Sequence, residues 1–129
     1  MEGGWILKAI VIGLEDGRML AGKAWCTQSV TERIEGWFSK KNAESGEGLL
    51  IAPCSSVHTF GMKFSFDLLF LDGESRVIKV ISNLKPNRIA WAGWKAMLLP
   101  WTYQALELPA GAAEGVLEGE RLVISERAA

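Results

Sequence analysis

Residues 48–72 read GLLIAPCSSVHTFGMKFSFDLLFLD, and two apolar runs within them decide the fold. Leu49–Ala52 is short and wholly apolar, and Pro53 stops it because proline cannot donate to a strand ladder. Phe64–Leu71 has the two-residue period of a strand: Phe64, Phe66, Leu68 and Phe70 share one face, and Ser65, Asp67, Leu69 and Leu71 share the other. Asp67 interrupts an apolar pattern, so its charge has to be paired or hydrogen-bonded. Between the runs, the Cys54–Gly61 loop carries the only histidine, His58, and one of two cysteines.

Outward from this stretch the pattern stays β. Asp72-Gly73-Glu74 turns the chain and Val77–Ile81 returns antiparallel. Upstream, the apolar runs 5–14 and 19–26 are joined through Asp16-Gly17, a hairpin signal, with a bulge expected at Ala21-Gly22-Lys23. Ser29-Val30-Thr31-Glu32 fits a capping box, and Val30, Ile34, Trp37 and Phe38 at helical spacing predict a helix over 30–39. Residues 40–48 read as an exposed loop. Downstream, 83–87 is a loop, and 88–101 is irregular with room for a strand, because Gly93 and Pro100 oppose the helical spacing of Trp91, Trp94 and Leu98. Tyr103–Leu108 is a strand, Ala110–Leu117 a helical turn, and Arg121–Ser125 the last strand. Short antiparallel strands at this spacing predict one mainly β domain over 1–129, an antiparallel sandwich or flattened barrel with one short α-helix.

Composition narrows the partners. The chain of 129 residues is 49% hydrophobic and 22% charged, which suits one folded domain and not a disordered chain. Its 14 basic and 15 acidic residues argue against nucleic acid or an anionic membrane as partner. The N-terminus has no basic n-region, and Lys8 breaks the first apolar segment, so a cytoplasmic location is expected, with Cys26 and Cys54 as free thiols. The glycines are scattered, and no cofactor-binding motif is present. One histidine and two cysteines fall short of the four ligands of a structural zinc site, so no metal is expected.

Two readings stand side by side for the candidate chemistry. Cys54, His58 and Asp67 could form a nucleophile, base and orienting carboxylate if the fold brings them together. The plainer reading makes Cys54 a small hydrophobe, His58 a loop residue bonded to backbone, and Asp67 a structural pin. Donors for Asp67 would then come from the Cys54–Gly61 loop, Arg33 or Arg88. Trp91, Trp94 and Trp101 fall in one segment and could line a groove or fill a core.

The segment Pro53–Met62, with Phe64 and Asp67–Asp72, resembles the DUF192 (UPF0127) family. Leu106-Glu107-Leu108-Pro109-Ala110-Gly111, Pro86-Asn87-Arg88 and Arg33-Ile34-Glu35-Gly36 add to the resemblance, which spans about residues 20–124. It implies a mostly β, sandwich-like domain without an established biochemical activity. His58 stands where many members carry Trp, and the Trp-rich 89–101 segment is longer and more aromatic than the family pattern. The reading drawn here is a non-enzymatic binding module, with a groove between the His58 loop and the Trp91–Trp101 segment. Its ligand is a small molecule or a protein partner, held by Cys54, His58, Met62, Asp67, Arg88, Trp91 and Trp94. The alternatives are an enzyme using Cys54, His58 and Asp67, or a component of a larger assembly.

Overall fold

A computed structural model describes residues 8–27 and 42–127. The helix expected over 30–39 lies outside the described residues, as does Arg33. The strands are β1 (Lys8–Leu14), β2 (Met19–Thr27), β3 (Glu47–Ile51), β4 (Ser56–His58), β5 (Phe66–Leu71), β6 (Val77–Leu84), β7 (Ile89–Trp91), β8 (Gln104–Pro109) and β9 (Leu122–Glu126). A short helix α1 (Trp94–Leu98) and a 3-10 turn (Pro100–Thr102) follow β7.

Seven strands form one curled sheet in the order β6-β5-β8-β3-β2-β1-β9, and β4 and β7 form a separate pair. β1 and β2 are the expected hairpin, with Ile10 opposite Ala24 and Ile12 opposite Ala21. That register places an extra residue of β2 at Gly22-Lys23, the bulge the sequence signals. The pair β2–β3 is parallel, unlike the antiparallel pairing expected throughout. The connection through residues 28–46 is long enough for the crossover that a parallel pair requires. The two outermost strands meet at one end. Val77 donates to the Glu120 carbonyl at 2.8 Å and Gly119 donates to the Val77 carbonyl at 2.7 Å. The sheet is therefore a half-barrel, between the sandwich and flattened-barrel expectations.

Alternation along the central strands builds a core on each side of this sheet. Leu69 and Leu71 of β5, Leu50 of β3 and Leu106 and Leu108 of β8 join Ile10, Ile12 and Leu20 in the inner core. Phe66, Leu68 and Phe70 point the other way and pack with Leu49, Ile51, Val57, Met62 and Ala90 in an outer core. The pair β4–β7 covers that outer core, because Val57 and Ala90 face inward while their neighbours face solvent. Gly48 shows how tightly the inner side closes. A Cβ there would lie 3.0 Å from the Ala21 Cβ and 3.2 Å from a Leu108 methyl, so a side chain would push strands β2 and β8 away.

Elsewhere the structure corrects three local readings. The loop expected at Cys54–Gly61 contains β4, which finds its partner in β7 far along the chain. Residues 88–101 become a strand, a helix and a 3-10 turn. Ala110–Leu117 forms successive tight turns and no helix, closed by bonds such as Ala112 N–H to the Pro109 carbonyl at 3.0 Å. Glycines 111 and 115 hold positive φ there, which an α-helix does not tolerate.

Candidate functional site

Asp67 is one of the most buried polar residues among those described, at 1% exposure. It lies on the inner-core face of β5, and three backbone N–H groups satisfy it. Asn83 donates to Oδ1 at 2.9 Å, and Gly111 and Ala113 donate to Oδ2 at 3.0 and 2.9 Å. Each donor comes from an irregular backbone. The β5–β6 register shifts by one residue between Phe66 and Leu68, and Asn83, in the extra stretch of β6, adopts φ 55°. Gly111, at φ 91°, opens the turn after β8. Asp67 thus fastens a bulge and a turn to the central strand, as a carboxylate accepting several N–H bonds does. The donors differ from those expected: neither the Cys54–Gly61 loop nor Arg88 supplies one. The Arg88 guanidinium turns back on its own loop, donating to the Pro86 and Asn87 carbonyls at 3.4 and 3.3 Å.

The Cys54–Gly61 segment lies on the opposite side of β5, over the outer core. Thr59, fully buried, pins it. Its hydroxyl donates to the Lys85 carbonyl at 2.7 Å and accepts from Arg88 N–H at 2.7 Å, and its own N–H donates to the Arg88 carbonyl at 2.8 Å. Cys54 is half-buried against the outer core; its N–H donates to the Tyr103 carbonyl at 2.8 Å and its thiol to the Ser56 carbonyl at 3.1 Å. His58 sits on the outward face of β4, stacked on Phe60 with ring centroids 5.5 Å apart. Met62 is buried in the outer core. Trp91 and Trp94 are exposed. Cys54 and His58 therefore belong to one segment, while Asp67 faces away from it and is occupied by backbone donors.

Two open clefts flank Trp101. One, of about 340 Å³, is lined by Pro53, Cys54, Ser55, Ser56, Pro100 and Trp101. The other, of about 470 Å³, is lined by Ala52, Pro53, Gly73, Trp101, Thr102, Tyr103 and Gln104. The walls are neutral hydroxyl, thiol, amide and ring groups, with no charged side chain. Gln104 is held in place by donating its amide to the Asp72 carbonyl at 3.0 Å. Of the residues expected to hold a ligand, only Cys54 lines either cleft; Trp101 lines both, and His58, Met62, Asp67, Arg88, Trp91 and Trp94 line neither.

Among the described residues, no group of three His, Cys, Asp or Glu side chains is arranged to hold a metal ion. Cys26 packs against the inner core and Cys54 against the outer, so the sheet separates the two cysteines. Burial pushes the Cys26 thiol above its ordinary pKa, and nearby Lys8 partly offsets this.

One buried carboxylate was not singled out from the sequence. Glu107 of β8 is fully buried, opposite Leu49 on one side and Leu68 on the other, on the outer-core face. The signal was available: a glutamate between two leucines in an apolar strand is the same interruption that marks Asp67.

The chain matches the family model DUF192, described as an uncharacterized ACR, over residues 13–124. It belongs to this family. Two solved structures share the fold. One is a protein of unknown function from Novosphingobium aromaticivorans, with a TM-score of 0.72 and 17% identity over 95% of this chain and 88% of that one. The other is a Sinorhizobium meliloti protein described as a candidate transcription regulator, with a TM-score of 0.67 and 17% identity over 95% of this chain and 97% of that one. At that identity the likeness carries the fold alone. No curated protein matches. No helix among the described residues is long and apolar enough to cross a membrane.

Proposed function

We propose that this domain is a non-enzymatic binding module whose ligand lies in the paired clefts around Trp101. The observation that carries the reading is the lining itself: an exposed indole shared by two clefts, with neutral donors and acceptors in their walls. Such a surface suits a small uncharged ligand with a flat apolar face, stacked on the ring and oriented by the Ser55 and Ser56 hydroxyls. An enzyme built on Cys54, His58 and Asp67 has less support. The carboxylate that would orient the imidazole is on the far side of β5 and already accepts three hydrogen bonds.

Native mass spectrometry of the full chain purified from its own host tests this reading. The wild-type protein is expected to retain a small noncovalent adduct that Trp101→Ala loses. Absence of any adduct, or an adduct unchanged by Trp101→Ala, counts against the clefts. A covalent adduct on Cys54 would favour the enzyme instead.

A further inference from the structure

Acidic residues are absent from two long stretches of this chain. Residues 48–66 and 75–106 contain Lys63, Arg76, Lys79, Lys85, Arg88 and Lys95 and no Asp or Glu, leaving eight basic and fifteen acidic residues for the rest. The near-neutral total, which argued against a membrane partner, therefore hides a strong sorting of charge. Among the described residues, the second stretch also carries the largest group of exposed apolar side chains. Ile89, Trp94, Met97, Leu98 and Trp101 are 65–69% exposed, and Leu99 is 50% exposed. In α1 only Ala96 is buried. Large apolar side chains left exposed this close together along the chain mark an interaction surface.

We propose that the 89–101 segment docks this protein on the surface of an anionic lipid bilayer. Charge complementarity points to that occupant. Lys79 reaches the Trp91 carbonyl at 3.0 Å, Lys95 lies 5.8 Å from the Trp94 ring, and Arg88 directly precedes Ile89. Lysines beside exposed tryptophans form the pattern that meets lipid headgroups and inserts beneath them. The shape agrees. Ile89, Trp94, Met97 and Leu98 project from the surface and line neither cleft, so they suit a fluid interface better than a fitted protein partner. The backbone is also prepared for a low-dielectric setting. Ala92 N–H donates to the Ser55 carbonyl at 2.9 Å, Ala96 N–H to Gly93 at 3.1 Å, and Thr102 donates its N–H and hydroxyl to Leu99 at 3.0 and 2.8 Å. The segment would lie in the headgroup layer and not span it.

Vesicle co-sedimentation of the full chain tests the proposal. Vesicles of mixed phosphatidylglycerol and phosphatidylcholine should retain the protein at least tenfold better than phosphatidylcholine alone, less so as salt rises. Trp94→Ser combined with Leu98→Ser should lower partitioning at least tenfold at unchanged Tm, and Lys95→Ala about fivefold. None of these residues lines the clefts around Trp101. A cleft ligand should therefore persist in all of them, and failure of one proposal leaves the other standing. No partitioning onto anionic vesicles, or partitioning that survives the double substitution, overturns the inference. So does a wild-type dimer in solution that the double substitution dissolves, which would assign the face to a second copy of the chain.

Discussion

Strand β5, FDLLFL, and the segment 89–101, IAWAGWKAMLLPW, are the two most apolar parts of the second half of the chain, and they end in opposite places. All six residues of β5 are buried. In 89–101 most of the large apolar side chains are exposed. The difference is the number of neighbours available. β5 pairs with β6 on one edge and β8 on the other, and each of its faces looks into a core. The 89–101 segment pairs only through β7 with β4, and only Ala90 and Ala96 of it are buried. Apolar content makes burial favourable, but a side chain is buried only where a second surface exists to cover it.

The hardest way to break the β5 side of this contrast is to remove its one charge. Asp67→Ala strands three backbone N–H groups, two of them in the turn that follows β8. The expected cost is on the order of 2–4 kcal/mol, read by urea denaturation. Asp16→Ala is the control, since Asp16 accepts one exposed bond from Arg18 N–H at 2.8 Å. A midpoint for Asp67→Ala no lower than that of Asp16→Ala would mean the carboxylate is not a structural pin. Asp67 would then return to the list of functional groups.

The same contrast explains what could be read in the sequence. β2, β5 and β8 have clear period or turn chemistry, and their expected bounds lie within two residues of those observed, as does the expected end of β1. The need of Asp67 for donors was equally legible, because burying a charge is costly wherever it happens. The identity of those donors was not. They sit 16, 44 and 46 residues away, at a bulge and a turn whose backbone shape is set by tertiary packing. β4 and β7 are not legible in the sequence, because three residues carry too little period to register and their pairing spans a long stretch of chain. Trp101, the edge of the clefts, was noticed only as one of three tryptophans; nothing in its local sequence separates it from Trp91 and Trp94.

Thr59 joins the two contrasted regions, and a change there should have an intermediate effect. Its hydroxyl makes two bonds of 2.7 Å to the chain leading into β7, so it holds the β4–β7 pair over the outer core. Thr59→Val keeps the shape and removes the polar atom, leaving the Lys85 carbonyl and the Arg88 N–H without this partner. A loss of about 1–3 kcal/mol is expected. Hydrogen exchange should locate it: amides of β4 and β7 should lose protection while those of β5 and β8 keep theirs. Equal loss across all four strands would mean the small sheet is not a separable layer.

The smallest expected effect lies at Trp94. Truncating a buried Phe or Trp to Ala costs roughly 3–5 kcal/mol, through lost transfer energy and the cavity left behind. Trp94 is 65% exposed, and the contact its ring makes within the segment is to its neighbour Lys95 at 5.8 Å. Neither cost applies at that exposure, and alanine is the better helix former in the five-residue α1. Trp94→Ala should therefore shift the urea-derived stability by no more than about 0.5 kcal/mol, the range of an ordinary surface substitution. That outcome would identify the ring as surface that stabilises nothing within the fold, which is what a docking side chain must be. A loss above about 1.5 kcal/mol would place Trp94 under cover in solution. The contrast between β5 and 89–101 would then collapse, and the lipid-docking face would lose one of its principal side chains.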